Sequence, residues 1–250
     1  MSFSEREVER YARHLVLRED GGQGQQALAR ASVAIVGAGG LGAPAALYLA
    51  AAGVGQLTLI DPDVVDLSNL QRQVLFDTAD VGAAKVEAAA RRLAALNPHV
   101  TIDAQRARLE ADNAVGLLAG CDLVLDGTDN FATRFDVNAA CVAAGVPLVS
   151  GAIGRWTGQV GVFAGRPCYR CLAPEIPPDA ETCVAVGVIG ALAGVIGSMM
   201  ALEAIKLIAR AGDSLTGRLL IYDALAAETR TVTLVADPHC PVCGPTASTE

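Results

Sequence analysis

Residues 33–42 read Val-Ala-Ile-Val-Gly-Ala-Gly-Gly-Leu-Gly, and Asp61 closes the next apolar run. The four apolar residues predict a buried strand, Gly37-x-Gly39-x-x-Gly42 a loop that cradles phosphate, and residues 41–52 a helix. Gly37 permits a tight turn, Gly39 and Gly40 let backbone approach phosphate, and Gly42 lets helix and strand pack closely. An acid some 20 positions on, here Asp61, suits ribose hydroxyls. The pattern predicts a nucleotide; NAD is its usual ligand.

Outward from this stretch, apolar runs and helical segments alternate through residue 150. Strands are expected at 57–60, 100–104, 123–125 and 147–150, with helices at 83–96, 113–118 and about 130–143. That spacing predicts a Rossmann-like α/β fold with a doubly wound, mostly parallel sheet. From Gly151 the pattern changes, and 157–163, 218–222 and 229–235 read as antiparallel strands. Residues 4–17 have helical character, and Gly21-Gly22-Gln23-Gly24 reads as a loop.

Composition narrows the class. The formal net charge of −8 over 250 residues argues against a general nucleic-acid binder, which needs clustered Lys and Arg. Nothing before Ser4 resembles a signal peptide, so a cytoplasmic location is expected. Residues 184–202 carry no charge and are long enough to span a membrane, with Gly187, Gly190, Gly194 and Gly197 forming a small-residue stripe. No aromatic belt or basic flank marks a membrane boundary, so a helix in the core or at a subunit interface is expected.

Three further groups carry chemistry. Ser68-Asn69-Leu70-Gln71-Arg72-Gln73, followed by Lys85, sets amide and basic groups beside the loop. A hydride transfer has no use for them, whereas a reaction at a triphosphate needs such charge neutralisation. Asp126-Gly127-Thr128-Asp129-Asn130 falls at the end of a sheet strand, where two carboxylates suit Mg²⁺ against phosphates; the alternative for Asp129 is a cap on the next helix. Cys168-x-x-Cys171 and Cys240-x-x-Cys243 suit one structural, four-sulfur Zn²⁺ site, which iron could also occupy. Of the seven cysteines, Cys121 and Cys141 read as inert core residues. Cys183, at a predicted helix start, reads either as an activated thiol or as a small buried residue.

Gly37-x-Gly-Gly-Leu-Gly, Gly53-Val-Gly, Asp61-x-Asp63-x-Val, Ser68-Asn-Leu-x-Arg-Gln, Thr128-Asp-Asn and the paired CxxC knuckles together resemble the MoeB/ThiF/HesA group. These are adenylyltransferases of sulfur-carrier proteins, related to ubiquitin-activating enzymes. The resemblance covers residues 10–243 and implies one adenylation domain. It comprises an N-terminal arm (1–30), a nucleotide-binding part (31–150), a carrier, zinc and dimer part (151–244) and a disordered tail (245–250). It implies ATP and Mg²⁺ as well as zinc, with Asp61 on the ribose and Ser68, Asn69, Arg72 and Lys85 on the triphosphate. Asp129, beside Asn130, would manage Mg²⁺ or transition-state charge, and Arg13 would serve the partner's site in a homodimer. Cys183 matches a cysteine that links to the carrier in some members. The implied partner is a small ubiquitin-like sulfur carrier, of molybdopterin-synthase type before thiamine type, with sulfur from a separate donor protein.

Overall fold

Strand β1 (Ser32–Val36) is the axis of the structure, a computed structural model that describes residues 3–19, 21–176 and 187–244. Val33 to Val36 are all buried, because helices cover both faces of a parallel strand. Beside it lie β2 (Gln56–Ile60), β3 (Thr101–Gln105), β4 (Leu123–Asp126) and β5 (Leu148–Gly154), all parallel. The sheet continues antiparallel through β6 (Thr157–Phe163), β7 (Arg218–Asp223) and β8 (Glu228–Thr233), giving the order β3-β2-β1-β4-β5-β6-β7-β8. The expected architecture is therefore present. β5 runs four residues past its predicted end, because it pairs with β6 across a two-residue turn at Arg155 and Trp156.

Short helices α1 (Glu5–Arg10) and α2 (Ala12–Leu15) precede α3 (Gly21–Arg30). The first expected helix is thus broken, at Tyr11, whose ring is turned inward and buried. Gly21 to Gly24 open α3 rather than a loop: burial of Gln25 and Leu28 outweighs the poor helix propensity of glycine. Next come α4 (Gly42–Ala52), α5 (Lys85–Leu96), α6 (Ala114–Leu117), α7 (Phe131–Ala144), α8 (Tyr169–Leu172) and α9 (Gly190–Ala209). Side chains of β1 alternate between two cores. Val33 and Ile35 join the layer of α4, α5 and α9, while Ala34 and Val36 join that of α6 and α7.

The apolar run expected at 184–202 is, within the described residues, α9. It lies against α4, β5 and β6, with Leu192, Ala193, Ile196, Met200 and Ala204 buried. Its glycines do not share one task. A Cβ on Gly197 would stand 2.5 Å from the Leu41 carbonyl, whereas one on Gly194 meets open space. The stripe is a close contact with α4 on one side and open surface on the other.

Candidate active site

The carboxyl ends of β1, β2 and β4 open into a cavity of about 310 Å³, where ligands sit in open α/β sheets. Gly37, Gly39 and Gly40 form one wall. Gly37 has φ +89° and donates its N–H to Ile60 O. A Cβ on Gly42 would stand 1.8 Å from the Gly37 carbonyl oxygen, a backbone atom that cannot yield. Gly42→Ala is expected to cost about 1–3 kcal/mol of stability, read from a denaturation midpoint, and to weaken nucleotide binding with it.

Asp61 leaves β2 with its carboxylate buried, accepting from Ala38 N at 2.8 Å and Asp63 N at 2.9 Å. Burial pushes its carboxyl above the usual aspartate range, and the Lys85 ammonium, 3.9 Å away, opposes that only in part. Lys85, itself buried at the start of α5, is held 3.0 Å from Asp63. Asp63, present in the quoted motif but given no role from the sequence, thereby fixes the ammonium against the cavity.

Arg72 lines the cavity, with Nη1 donating to Ser68 O at 3.2 Å. Ser68 and Asn69 do not line it. Asn69 Oδ1 instead accepts from Asp66 N in the turn before Arg72, so these residues shape the segment that presents the arginine.

The Asp126 to Asn130 turn divides its labour. Asp126 is fully buried, accepting from Thr128 N and Oγ1, Ser150 Oγ and Arg134 Nη1. Its oxygens are taken, which removes it from the expected pair of metal carboxylates. Asn130 caps α7, its Oδ1 accepting from Thr133 N at 2.9 Å. Asp129 is consequently left exposed on the cavity, with no partner among the described residues. Arg134 also lines the cavity and reaches Gly151 O at 2.8 Å, as well as Thr128 O. It ties α7 to β4 and β5. An arginine in the first turn of a helix, the wrong end for the helix dipole, was its only mark in the sequence.

Gln73 was also missed as a wall residue. Its Oε1 is the single buried side-chain N or O without a partner among the described residues. Cys183 lies outside the described residues.

The four expected metal ligands converge, with their sulfurs within 4.8 Å of one another. Cys168 and Cys240 are 3.6 Å apart and Cys171 and Cys243 3.4 Å, against about 3.8 Å for thiolates around tetrahedral Zn²⁺. Asp237 N and Asn138 Nδ2 point at two of the sulfurs, as donors that stabilise thiolate charge. Burial pushes the Cys240 thiol up, but the N–H groups of Cys243 and Val242 pull it down to about 7. The donor set fits a closed, structural zinc. Burial pushes Cys141 up to about 12, in keeping with an inert core thiol. Tyr169, between two ligands, packs on Phe163 and Arg134 and lines the cavity, which joins the cysteine cluster to the cavity wall.

Arg13 is not brought to the cavity. It is exposed on α2, against the far end of α4 from Gly42.

Glycine loop, buried aspartate, cavity-facing cations and free carboxylate define a nucleotide-binding α/β protein equipped for chemistry at phosphorus. More particularly, the chain belongs to the ThiF family, which it matches over residues 11–242. It is 51% identical over 245 residues to the molybdopterin-synthase adenylyltransferase of Salmonella typhimurium, covering 97% of this chain and 98% of that protein. It is 48% identical over 253 residues to the sulfur carrier protein adenylyltransferase of Thermus thermophilus, covering 98% and 93%. Among solved structures, MccB of E. coli with MccA-N7isoASN has a TM-score of 0.84 at 23% identity, covering 97% of this chain and 76% of that one, a likeness of fold.

Proposed function

We propose that this chain uses ATP to adenylate the C-terminal glycine of a small ubiquitin-like sulfur carrier, in the first instance of the molybdopterin-synthase type. The observation that carries the reading is that one cavity gathers a glycine loop, Asp61, Arg72, Lys85 and the unpartnered Asp129. A carrier carboxylate oxygen attacks the α-phosphorus, the bond to the β-phosphate oxygen breaks, and acyl-adenylate and pyrophosphate result. Asp61 holds the ribose and the Gly37 to Gly42 backbone the phosphates. Arg72 and Lys85 neutralise charge on the oxygens as the pentavalent arrangement forms. Asp129, exposed on the cavity, is the carboxylate that would hold Mg²⁺, which would supply neutralisation of phosphate charge.

A homodimer is part of the proposal, Arg13 of each copy completing the other's site. Its support is the distance of Arg13 from its own loop, together with exposed Tyr48 on α4 and Leu202 on α9. Zinc holds the cysteine cluster, a separate protein supplies sulfur, and the setting is cytoplasmic.

The test is ATP–pyrophosphate exchange with candidate carriers, molybdopterin-type and thiamine-type, against carriers lacking the terminal glycine. Exchange that requires that glycine is expected. None with any candidate overturns the proposal, and tight NAD binding without ATP binding would favour an oxidoreductase.

Asp61 adds a pH dependence. Its raised pKa favours the protonated form in the fold, so that stabilisation is complete below the unfolded value and is lost as pH rises through the folded value. Ribose binding has the opposite sign, because hydroxyls donate to the ionised carboxylate. ATP affinity is therefore expected to weaken as pH falls through a midpoint above the ordinary 3.8, by calorimetric titration from about pH 4 to 8. Asp61→Asn should flatten that profile.

A further inference from the structure

The N-terminal arm is fastened to its own chain on both sides of Arg13, and every fastening lies at the far end of the helices that leave the cavity. Tyr11 is 4% exposed, and its ring fills the place where Gly53 lacks a side chain: a Cβ there would stand 2.5 Å from Tyr11 Cζ and Oη. Asn97, fully buried just past α5, donates from Nδ2 to Tyr11 Oη at 2.9 Å and to Ala50 O at 2.7 Å. Arg10 Nη1 donates to Leu96 O at 3.0 Å. Beyond Arg13, His14 Nδ1 bonds Gln25 Oε1 at 3.0 Å, and buried Gln25 donates to Ala52 O at 2.7 Å.

These contacts join the arm to the last turns of α4 and α5. The glycine loop is at the opposite end of α4, about 15 Å away for a helix of this length. Arg13 itself is exposed and has no partner among the described residues. Two short helices would be marginal alone, so the seat of Tyr11 is what gives Arg13 a fixed place. A buried side chain, a glycine slot and a buried amide thus hold a segment whose arginine has no hydrogen-bond or ionic partner among the described residues.

We infer that Tyr11, seated by Gly53 and Asn97, is a positioning residue that sets Arg13 for use in the active site of a second copy of this chain. The inference rests on the adenylation reading above. Tyr11 touches no substrate; it acts through Arg13, and across the subunit boundary.

Subunit mixing tests this. Tyr11→Ala homodimers are expected to lose about 10²-fold in carrier-dependent exchange, as a small misplacement of a charge-stabilising group does. In Tyr11→Ala mixed with Asp129→Ala, the heterodimer pairs an intact pocket with a well-seated arm. Random reassortment should recover about a quarter of wild-type activity. In wild type mixed with the Tyr11→Ala/Asp129→Ala double variant, the heterodimer's one intact pocket receives the loosened arm and adds little. Activity then falls to the roughly one quarter carried by wild-type homodimers, whereas an arm serving its own pocket would leave about a half. Adding Tyr11→Ala to Arg13→Ala should cost nothing further, since both act through one group. His14→Ala, which loosens the other side, should repeat the pattern more weakly and serves if Tyr11→Ala does not fold. Little recovery in the first mixture, about half of wild-type activity in the second, or full exchange by Tyr11→Ala homodimers overturns the inference. Failure of wild type to exchange with any carrier overturns the adenylation reading instead.

Discussion

Replacing Arg72 by Ala is expected to lower carrier-dependent ATP–pyrophosphate exchange by about 10²–10³-fold, the range for removing one preorganised charge-stabilising group. The side chain projects into the cavity from a segment already held by its own capping turn, in which Asp66 and Asn69 satisfy one another's backbone. Among the described residues it makes no ion pair, and its hydrogen bond is to the nearby Ser68 carbonyl. Its loss is therefore expected to leave the fold intact, by thermal midpoint, and the particle size unchanged, by light scattering. The same segment is 3.6 Å from where a Cβ on Gly40 would lie, so the guanidinium stem forms part of the wall facing the loop. An unchanged exchange rate would remove Arg72 from the chemistry.

Changing Cys240 to Ser is expected to release the metal. Wild type should carry about one zinc per chain by elemental analysis, since four thiolates complete one closed tetrahedral site. The variant should carry none. Structural zinc contributes to folding outright, but this chain also has two large hydrophobic layers, so partial destabilisation is expected rather than unfolding. A loss of a few kcal/mol lowers the thermal midpoint by on the order of 10 °C for a chain of this size. Activity should fall as well, because Tyr169 sits between two ligands and packs beneath the cavity on Phe163 and beside Arg134. Zinc-replete Cys240→Ser would show that another ligand set holds the metal.

Local patterns predicted much of this protein. The alternating elements, the glycine loop with Asp61, and the four cysteines were all legible, because each is a spacing rule that a few neighbouring residues satisfy. Helix α3 was not, since glycine argues against a helix and only burial of Gln25 and Leu28 reverses the balance. Nor could the chain alone apportion Asp126, Asp129 and Asn130. All three are good capping or ligating residues in a short turn. Asp126 is removed from ligand chemistry by Ser150 and Arg134, groups 24 and 8 residues away.

The sequence by itself determined the class of ligand, since backbone glycines, an acid at a strand end and a nearby cationic segment need no distant partner to declare themselves. The tertiary structure decided which groups remain free to act. It engages the Asp126 carboxylate, caps α7 with Asn130 and leaves Asp129 open. It also seats Tyr11 in a slot at Gly53 and Asn97, more than 40 residues along the chain, and so holds Arg13 away from its own pocket. Availability of a side chain depends on every neighbour that could satisfy or bury it. Those neighbours are assembled only when the sheet brings remote segments together.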